Sequence, residues 1–228
     1  MEKIKRFSVY LKRYRVYVVI FLISMVLLTL LWVSVYFQNQ PKELYPQQIL
    51  NYQGQDLSSI STDYSNNIAG IQSFNMSSYR LTITGLVNQT VQYNYSQIIN
   101  SFQKYQKVVT LHCVDGWTAK ILWEGFLITD LLKEAGVKPN AVVAIFRASD
   151  GFSSALPLDY IANKSIILAY KMNGLIIPPD KGFPFQVVAE SQYGYKWVKW
   201  LTTIELSDNA NYLGYWESRG FANNATIP

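Results

Sequence analysis

The chain has 228 residues, of which 50% are hydrophobic and 15% are charged, so it is long enough for one sizeable core but too apolar to lie wholly in water. The net charge of +5 does not indicate a nucleic-acid partner, because residues 1–15 hold six basic side chains and one acidic one. Since the whole chain has 20 basic and 15 acidic side chains, residues 16–228 carry 14 of each sign and are neutral.

Residues 16–37 contain no charged side chain and are long enough to cross a bilayer as one helix. Trp32 and Tyr36 stand near the far end of this span, where aromatic side chains favour the membrane interface. By the positive-inside rule, residues 1–15 form a basic cytoplasmic tail and the chain beyond the span is extracytoplasmic. No small-x-small cleavage site follows the span, which favours an uncleaved single-pass anchor in the cell membrane over a signal peptide.

Beyond the span, residues 38–76 are polar and rich in Gln, Ser and Asn, so they form either a linker or a segment that wraps the next domain. Residues 77–228 are predicted to form that domain. Five glycosylation sequons lie outside the span, at Asn75, Asn88, Asn94, Asn163 and Asn224. They agree with an extracytoplasmic glycoprotein, although an Asn-rich and Ser-rich chain also produces sequons by chance.

The domain pattern is rich in strands. Alternating or continuous apolar runs predict strands at 80–86, 107–113, 120–126, 141–148, 166–172, 175–177, 186–189 and 200–206. Asn173-Gly174 between two of these runs is a strong hairpin signal. Short helices are predicted from Ser96, as N-cap, to Phe102 and from Thr129, as N-cap, to Ala135, with Gly136 as C-cap. Few and short helices among many strands predict an α+β class.

The segment VVTLHCVDGW, residues 108–117, contains the single histidine, His112, and the single cysteine, Cys113. A nucleophilic dyad is unfavourable, since neighbours on a strand point to opposite faces. A zinc site built from His and Cys alone is excluded by their number. Two interpretations of Cys113 remain: a buried small hydrophobe, or the one protein ligand of a metal whose other donors belong to a cofactor.

Seven segments in one order resemble the molybdopterin-binding domain of the sulfite oxidase family, which includes methionine sulfoxide reductase catalytic subunits. They are RLTITGLV, TLHCVDGW, WEGFLITDLLKEAGV, FRASDGFSSALPLDY, LAYKMNGLIIPPDKGFPFQVV, YGYKWVKWLTTIEL and GYWESRGF. The resemblance runs from about Tyr79 to Phe221 and is greatest to small, membrane-anchored archaeal members. It implies a β-rich mixed, sulfite-oxidase-type molybdopterin-binding fold.

The resemblance also implies a molybdenum–molybdopterin cofactor and the residues that hold it. Cys113 matches the protein ligand of the molybdenum, with two further sulfurs supplied by the pterin dithiolene. Trp197, Val198 and Lys199 match the segment that receives the terminal phosphate. Asp150 matches a position that contacts the pterin, although a turn residue in Asp-Gly is an equally good interpretation.

Other positions depart from the family pattern. Lys181 and Gln186 stand in KGFPFQ where sulfite oxidases have His and Arg, and they are expected to face the cofactor. The N-terminal pterin loop has no match, and Asn66 with Asn67 is the expected substitute. Asp115 is a candidate proton relay close to the ligand, with a simple turn residue as the alternative. These departures weaken the case for sulfite as the substrate more than the case for molybdopterin.

The sequence therefore predicts an extracytoplasmic molybdenum-dependent oxidoreductase that transfers an oxygen atom to or from a small-molecule substrate. The alternative is a cofactor-less molybdopterin fold that serves as a binding or assembly module of a membrane complex. The chain has no C-x-x-C-H haem motif and no iron–sulfur cysteines, so a membrane cytochrome or quinone-linked redox partner is expected.

Overall fold

The computed structural model describes residues 2–38, 47–61 and 65–227. The chain divides into two units, Met1–Leu44 and Tyr45–Pro228. The described residues of the first unit form one helix, α1 (Glu2–Gln38), which joins the basic segment to the apolar span without a break. Within it, Tyr17–Val35 is long and apolar enough to cross a membrane, with a mean hydropathy of 2.8.

In the second unit, the described residues form two five-stranded sheets and a short hairpin. The strands are β1 (Asn51–Tyr52), β2 (Gln55–Asp56), β3 (Leu81–Gly85), β4 (Val91–Tyr93), β5 (Lys104–His112), β6 (Thr118–Leu127), β7 (Val143–Ala148), β8 (Ser153–Pro157), β9 (Ile167–Met172), β10 (Leu175–Ile176), β11 (Gln186–Val188) and β12 (Leu201–Ser207). The helices are α2 (Tyr95–Ser101), α3 (Ile128–Ala135) and α4 (Leu158–Asn163).

One sheet has the strand order β10-β9-β6-β5, with β11 also paired to β9, and the other has the order β4-β3-β12-β7-β8. All pairs in the two sheets are antiparallel except β3 with β12, which is parallel. A common hydrophobic core receives Phe126 and Leu168 from the first sheet and Ile83, Phe146 and Ile204 from the second. The α+β, β-rich fold class is thereby confirmed.

The hairpin prediction is confirmed by the pairing of Met172 with Leu175 across Asn173-Gly174. The side chain of Asn173 is fully buried. Its Oδ1 accepts from the backbone N–H of Leu122 at 3.0 Å, and its Nδ2 donates to the carbonyl of Ser58 at 2.8 Å. The turn residue thus ties the sheet to the segment that precedes the domain.

That segment belongs to the region predicted as a linker or a wrapping segment, of which residues 39–46 and 62–64 lie outside the described residues. In its described part, Ile60 is buried in the core, and the backbone N–H of Ser58 donates to the carbonyl of Lys120 at 2.8 Å. Residues 47–61 therefore pack along the domain rather than stand apart from it.

The helix caps differ from the predictions. Helix α2 is capped by Asn94 and not by Ser96, since Asn94 Oδ1 accepts from the backbone N–H of Gln97 and the Gln97 side chain accepts from Asn94 in return. Helix α3 begins at Ile128 without a side-chain cap, so Thr129 is not its N-cap. The predicted C-cap at Gly136 is confirmed, with φ 67°.

Candidate functional site

A cavity of about 580 Å³ opens beside the turn between β5 and β6. This volume lies in the range of small-molecule and cofactor sites. Every predicted site residue except Val198 lines it, and they come from six separate parts of the chain. The lining residues named in the prediction are Asn67, Cys113, Asp115, Asp150, Lys181, Gln186, Trp197 and Lys199. Val198 is fully buried behind this wall.

Cys113 follows the last residue of β5 and is half-buried. Its backbone N–H donates to the carbonyl of Trp117 at 2.9 Å, which closes the turn and fixes the thiol at the cavity wall. His112 does not belong to the lining. The Cys-His adjacency therefore does not form a catalytic pair.

The thiol has two polar neighbours. Its Sγ lies 3.5 Å from Asp115 Oδ2, and Asn66 Nδ2 lies 3.2 Å from the same carboxylate oxygen and 3.9 Å from Sγ. Burial raises the pKa of the Cys113 thiol above its ordinary value, and the negative charge of Asp115 adds to this effect. A metal ion at Sγ would have to displace the thiol proton, for which Asp115 is the nearest described acceptor.

Residues 65–67 cross the cavity as a strap. At one end Asn66 contacts Asp115, as described above. At the other end Lys199 Nζ donates to Ser65 Oγ at 3.1 Å and to the backbone carbonyl of Asn66, while Ser65 Oγ donates to the carbonyl of Asp180. Asn67 also lines the cavity, but its Oδ1 accepts from the backbone N–H of Gly70 at 2.7 Å. Asn66 is thus the asparagine whose side chain faces the thiol.

Two lysines, Lys181 and Lys199, also line the cavity. Lys181 is 8% exposed, with Nζ 3.4 Å from Asp180 Oδ2, and Lys199 Nζ lies 4.5 Å from the centre of the Trp200 ring. Burial, together with the charge of Lys181, lowers the pKa of Lys199 to about 8, although the charge of Asp150 opposes the shift. An anionic group beside these ammonium groups would favour their charged forms.

The backbone brings the two lysines together. Gly182 has φ 121°, and a Cβ at that position would lie 2.9 Å from Cβ of Lys199. The backbone N–H of Trp200 donates to the carbonyl of Gly182 at 3.2 Å. A side chain at position 182 would therefore both strain the backbone and displace Lys199. Gln186, only 4% exposed, completes this deep end of the cavity at the start of β11.

The sequence did not single out the aromatic residues on another side of the cavity. Tyr195, Trp216 and Phe221, which we call the aromatic mouth, all line it. The ring of Phe221 lies 5.3 Å from those of Tyr195 and Trp216. Trp216 and Phe221 are 37% and 36% exposed, so these two rings meet solvent at their side of the cavity.

A buried ion pair connects the two segments that carry Tyr195 and Trp216 of the aromatic mouth. Lys196 Nζ lies 2.6 Å from Glu217 Oε1, and the two side chains are 2% and 0% exposed. Ser154 Oγ donates to the same oxygen at 2.6 Å, whereas Glu217 Oε2 has no hydrogen-bond partner among the described residues. Because Lys196 follows Tyr195 and Glu217 follows Trp216, the pair fixes the relative positions of the two rings.

The donor set fits a cofactor that brings its own metal ligands. In the described part of the chain, no group of three or more His, Cys, Asp or Glu side chains is placed to hold a metal ion. One soft thiol stands at the cavity wall, and two ammonium groups with a buried amide stand at the deep end. A metal with cofactor sulfurs and an anionic tail matches both ends.

Comparisons with known proteins define the class. A family model, the oxidoreductase molybdopterin binding domain, matches residues 68–216. The chain belongs to this family, so it is a molybdenum oxidoreductase domain whose implied cofactor is molybdenum–molybdopterin. The resemblance, the enzyme class and the cofactor predicted above are confirmed.

Individual relatives refine this picture. The chain is 33% identical over 147 residues to the uncharacterized oxidoreductase YuiH of Bacillus subtilis, covering 64% of this chain and 73% of that protein. It is 28% identical to the protein-methionine-sulfoxide reductase catalytic subunit MsrP of Gluconobacter oxydans, covering 60% of this chain and 50% of MsrP. The alignment thus spans half of MsrP.

The fold is also found among solved structures. The sulfane dehydrogenase SoxCD from Paracoccus pantotrophus superposes with a TM-score of 0.61 at 22% identity, covering 64% of this chain and 42% of that chain. This likeness supports the fold alone. The sulfite-oxidase-type architecture predicted from the sequence agrees with it.

The buried ion pair generates a stability prediction. Glu217→Gln keeps the size of the side chain but leaves the Lys196 ammonium buried without its counter-charge, which costs about 3 kcal/mol. In the detergent-solubilised full chain, thermal unfolding followed by tryptophan fluorescence should show a Tm lower by about 6–12 °C. Asp130→Asn, which breaks the exposed Lys133–Asp130 pair, should leave Tm nearly unchanged. Equal Tm values for both variants would contradict the structural role of Glu217.

Proposed function

We propose that this protein is a membrane-anchored, extracytoplasmic oxidoreductase in which Cys113 is the protein ligand of the molybdenum and the reaction is oxygen-atom transfer. The observation that carries the proposal is the arrangement of one thiol at the cavity wall with two lysines at the deep end. A thiolate is a soft metal ligand and ammonium groups bind phosphate, so one cavity offers donors for both ends of a molybdopterin.

When bound, the cofactor supplies a metal that alternates between Mo(VI) and Mo(IV) while an oxygen atom moves to or from the substrate. The chain's own residues have separate tasks. Lys199 and Lys181, which line the cavity, would bind the terminal phosphate, and Trp197 and Gln186 would line the pterin end. Asp150 lines the same cavity and accepts from the backbone N–H of Phe152 at 3.0 Å, which orients its carboxylate.

Asp115 is the proposed proton relay beside the reacting centre. Its carboxylate lies 3.5 Å from Cys113 Sγ, is solvent-exposed, and accepts from Asn66 Nδ2. A carboxylate at this place can receive a proton from solvent and deliver it into the cavity. Asn66 orients that carboxylate.

The proposed reaction exchanges two electrons, which must come from or go to a redox partner protein. The sequence has one cysteine and one histidine, so the chain itself offers neither a haem C-x-x-C-H motif nor an iron–sulfur cysteine set. A membrane cytochrome or quinone-linked protein fits the anchored location. MsrP of Gluconobacter oxydans is a catalytic subunit, and YedZ1 of Azospira oryzae, 24% identical to this chain, is a putative subunit of a protein-methionine-sulfoxide reductase. These names support a two-component system.

The proposed location rests on the apolar helix and the charge asymmetry. Tyr17–Val35 is fully exposed within its unit, and the basic residues precede it. Four of the five sequon asparagines, those at 75, 88, 163 and 224, are exposed in the second unit and are proposed glycan sites. Asn94 is half-buried and caps α2, so it is the least accessible of the five.

The alternative is a cofactor-less binding or assembly module. It is favoured by Lys181 and Gln186 at positions where sulfite oxidases have His and Arg, and by the contact of Lys199 with the strap. It is less well supported than the enzyme, because Cys113 opens onto a cavity of cofactor size instead of lying in a dry core.

Metal analysis tests the function. The full chain, purified in detergent from a host that makes molybdopterin, should contain stoichiometric molybdenum, and Cys113→Ser should lose it because the hard hydroxyl replaces the soft thiolate ligand. His112→Gln changes the adjacent residue outside the cavity lining and should retain the metal. A folded, metal-free wild type would refute the enzyme and favour the assembly module.

Tag accessibility tests the location. In intact cells, an antibody should reach an epitope tag placed after residue 228 but not one placed before residue 1. Permeabilisation of the membrane should expose both tags. Antibody access to the N-terminal tag in intact cells, with the C-terminal tag protected, would invert the proposed topology.

A further inference from the structure

Trp200 has a backbone conformation that bulky residues rarely adopt. It lies between Lys199 and the first residue of β12, and its φ of 50° falls in the left-handed region that favours glycine. A bulky side chain persists in such a conformation only where surrounding contacts hold it there. Glycine would fit this backbone without strain, so the contacts of the indole have to offset the strain.

Trp200 is bonded at two points to the loop that carries Lys181. Its backbone N–H donates to the carbonyl of Gly182 at 3.2 Å, and its indole N–H donates to the carbonyl of Pro179 at 2.7 Å. Since Lys181 lies between these two residues, the loop is held on both sides of the lysine.

Trp200 also contacts the segments of two other charged residues of the cavity. Its carbonyl accepts from the backbone N–H of Ser149 at 3.1 Å, directly before Asp150. Lys199 Nζ lies 4.5 Å from the centre of the indole ring, a distance at which the face of the ring attracts an ammonium group. One residue thus connects Lys199 with the segments that carry Lys181 and Asp150.

Burial alone would make Trp200 an ordinary core residue, with 1% of its surface exposed. Among the described residues, however, Trp200 is not part of the hydrophobic core that the two sheets share. It belongs instead to the cavity lining, together with Lys181, Lys199 and Asp150. The ring is therefore buried against the charged end of the cavity.

We infer that Trp200 is a positioning residue of the deep end: its left-handed backbone and its indole hold Lys199, the Lys181 loop and the Asp150 turn in the arrangement that receives the cofactor's terminal phosphate. This inference rests on the proposed function. The ring face stabilises the Lys199 ammonium, and the bonds to the loop and the turn set the spacing of the charges. Trp200 acts through the two lysines and does not bind the phosphate itself.

Sulfate binding by the cofactor-free full chain tests this role without turnover. Sulfate is a dianion like phosphate, but its charge does not change near neutral pH. The chain is purified in detergent from a host that makes no molybdopterin and is titrated with sodium sulfate in a calorimeter. Trp200→Gly suits the backbone but removes the ring and its N–H, so Kd should rise about tenfold. Trp200→Phe keeps a ring face and loses the N–H, so Kd should rise about threefold.

Phe146→Leu is the matched control, because Phe146 is fully buried in the core outside the described cavity lining. It should lower Tm but leave the Kd for sulfate unchanged. An equal loss of sulfate affinity in this control would overturn the inference, since general destabilisation would then account for the effect.

The pH profile of sulfate binding separates positioning from stability. Burial lowers the pKa of Lys199 to about 8, Lys181 acts in the same direction, and Asp150 and Asp180 oppose the shift. Wild-type affinity should therefore fall as the pH rises through about 8 and Lys199 loses its proton. Removal of the ring exposes the ammonium to solvent, so in Trp200→Gly this fall should move to higher pH.

Cofactor retention is the readout on the loaded protein. After dilution of the molybdenum-loaded full chain, Trp200→Gly should release molybdopterin about tenfold faster than wild type, because the phosphate is held less tightly. The fluorescence of the oxidised pterin measures the release. Phe146→Leu should release it at the wild-type rate.

The outcomes separate this inference from the proposed function. A wild type without molybdenum overturns the proposed function, and the sulfate titrations still decide whether Trp200 positions an anion site. A molybdenum-loaded wild type overturns this inference alone if it binds no sulfate in the cofactor-free state, or if Trp200→Gly matches its affinity and pH profile. If Trp200→Gly does not fold, an unchanged sulfate affinity in Trp200→Phe overturns the inference instead.

Discussion

The site depends on the hydrogen bond that closes the β5–β6 turn. The backbone N–H of Cys113 donates to the carbonyl of Trp117 at 2.9 Å, directly after the nine-residue pairing of Lys104–His112 with β6. The long antiparallel ladder makes the end of β5 rigid, and the closed turn fixes the thiol just beyond it. Asp115 lies inside the same turn, so the thiol and its proton acceptor are positioned by one local structure.

The rest of the cavity is assembled around that turn from distant segments. The loop before β11 provides Lys181, the loop before β12 provides Lys199, and the strap provides Asn66. The two lysines would repel each other in a dry interior, and Asp180 and Asp150 reduce that repulsion. The deep end thus gathers two cationic side chains, whereas the thiol end has a carboxylate. The two ends of the cavity therefore differ in the sign of their charged side chains.

The features predictable from the sequence are those that depend on local pattern. Alternation identified β5 and β6, and Asn173-Gly174 identified the β9–β10 hairpin, because the turn chemistry is specified by adjacent residues. The cap of α2 was also local, but Asn94 and Ser96 are both good capping residues. Only the reciprocal bond with Gln97 distinguishes them. The family resemblance named the lysines, whose proximity depends on the backbone at Gly182.

The aromatic mouth could not be predicted in this way. Tyr195 and Trp216 are 21 positions apart; the first lies in the 3-10 helix Gly194–Lys196 and the second caps the 3-10 helix Glu217–Arg219. Helices of three residues leave no periodic signal in the sequence. Lys196 resembles an ordinary surface lysine until Glu217 is placed 2.6 Å from it. Asn66 likewise combines a side-chain contact with Asp115 and a backbone contact with Lys199, both of which are distant in sequence. In each case the determinant is a tertiary ion pair or hydrogen bond between segments.

The central claim is that Cys113 supplies the protein sulfur to the metal. X-ray absorption at the molybdenum edge of the loaded full chain measures it most directly, because sulfur and oxygen neighbours differ in distance from the metal. Ligation by Cys113 predicts one sulfur neighbour of the wild-type metal in addition to the two dithiolene sulfurs. A sulfur count that the dithiolene alone accounts for would contradict it.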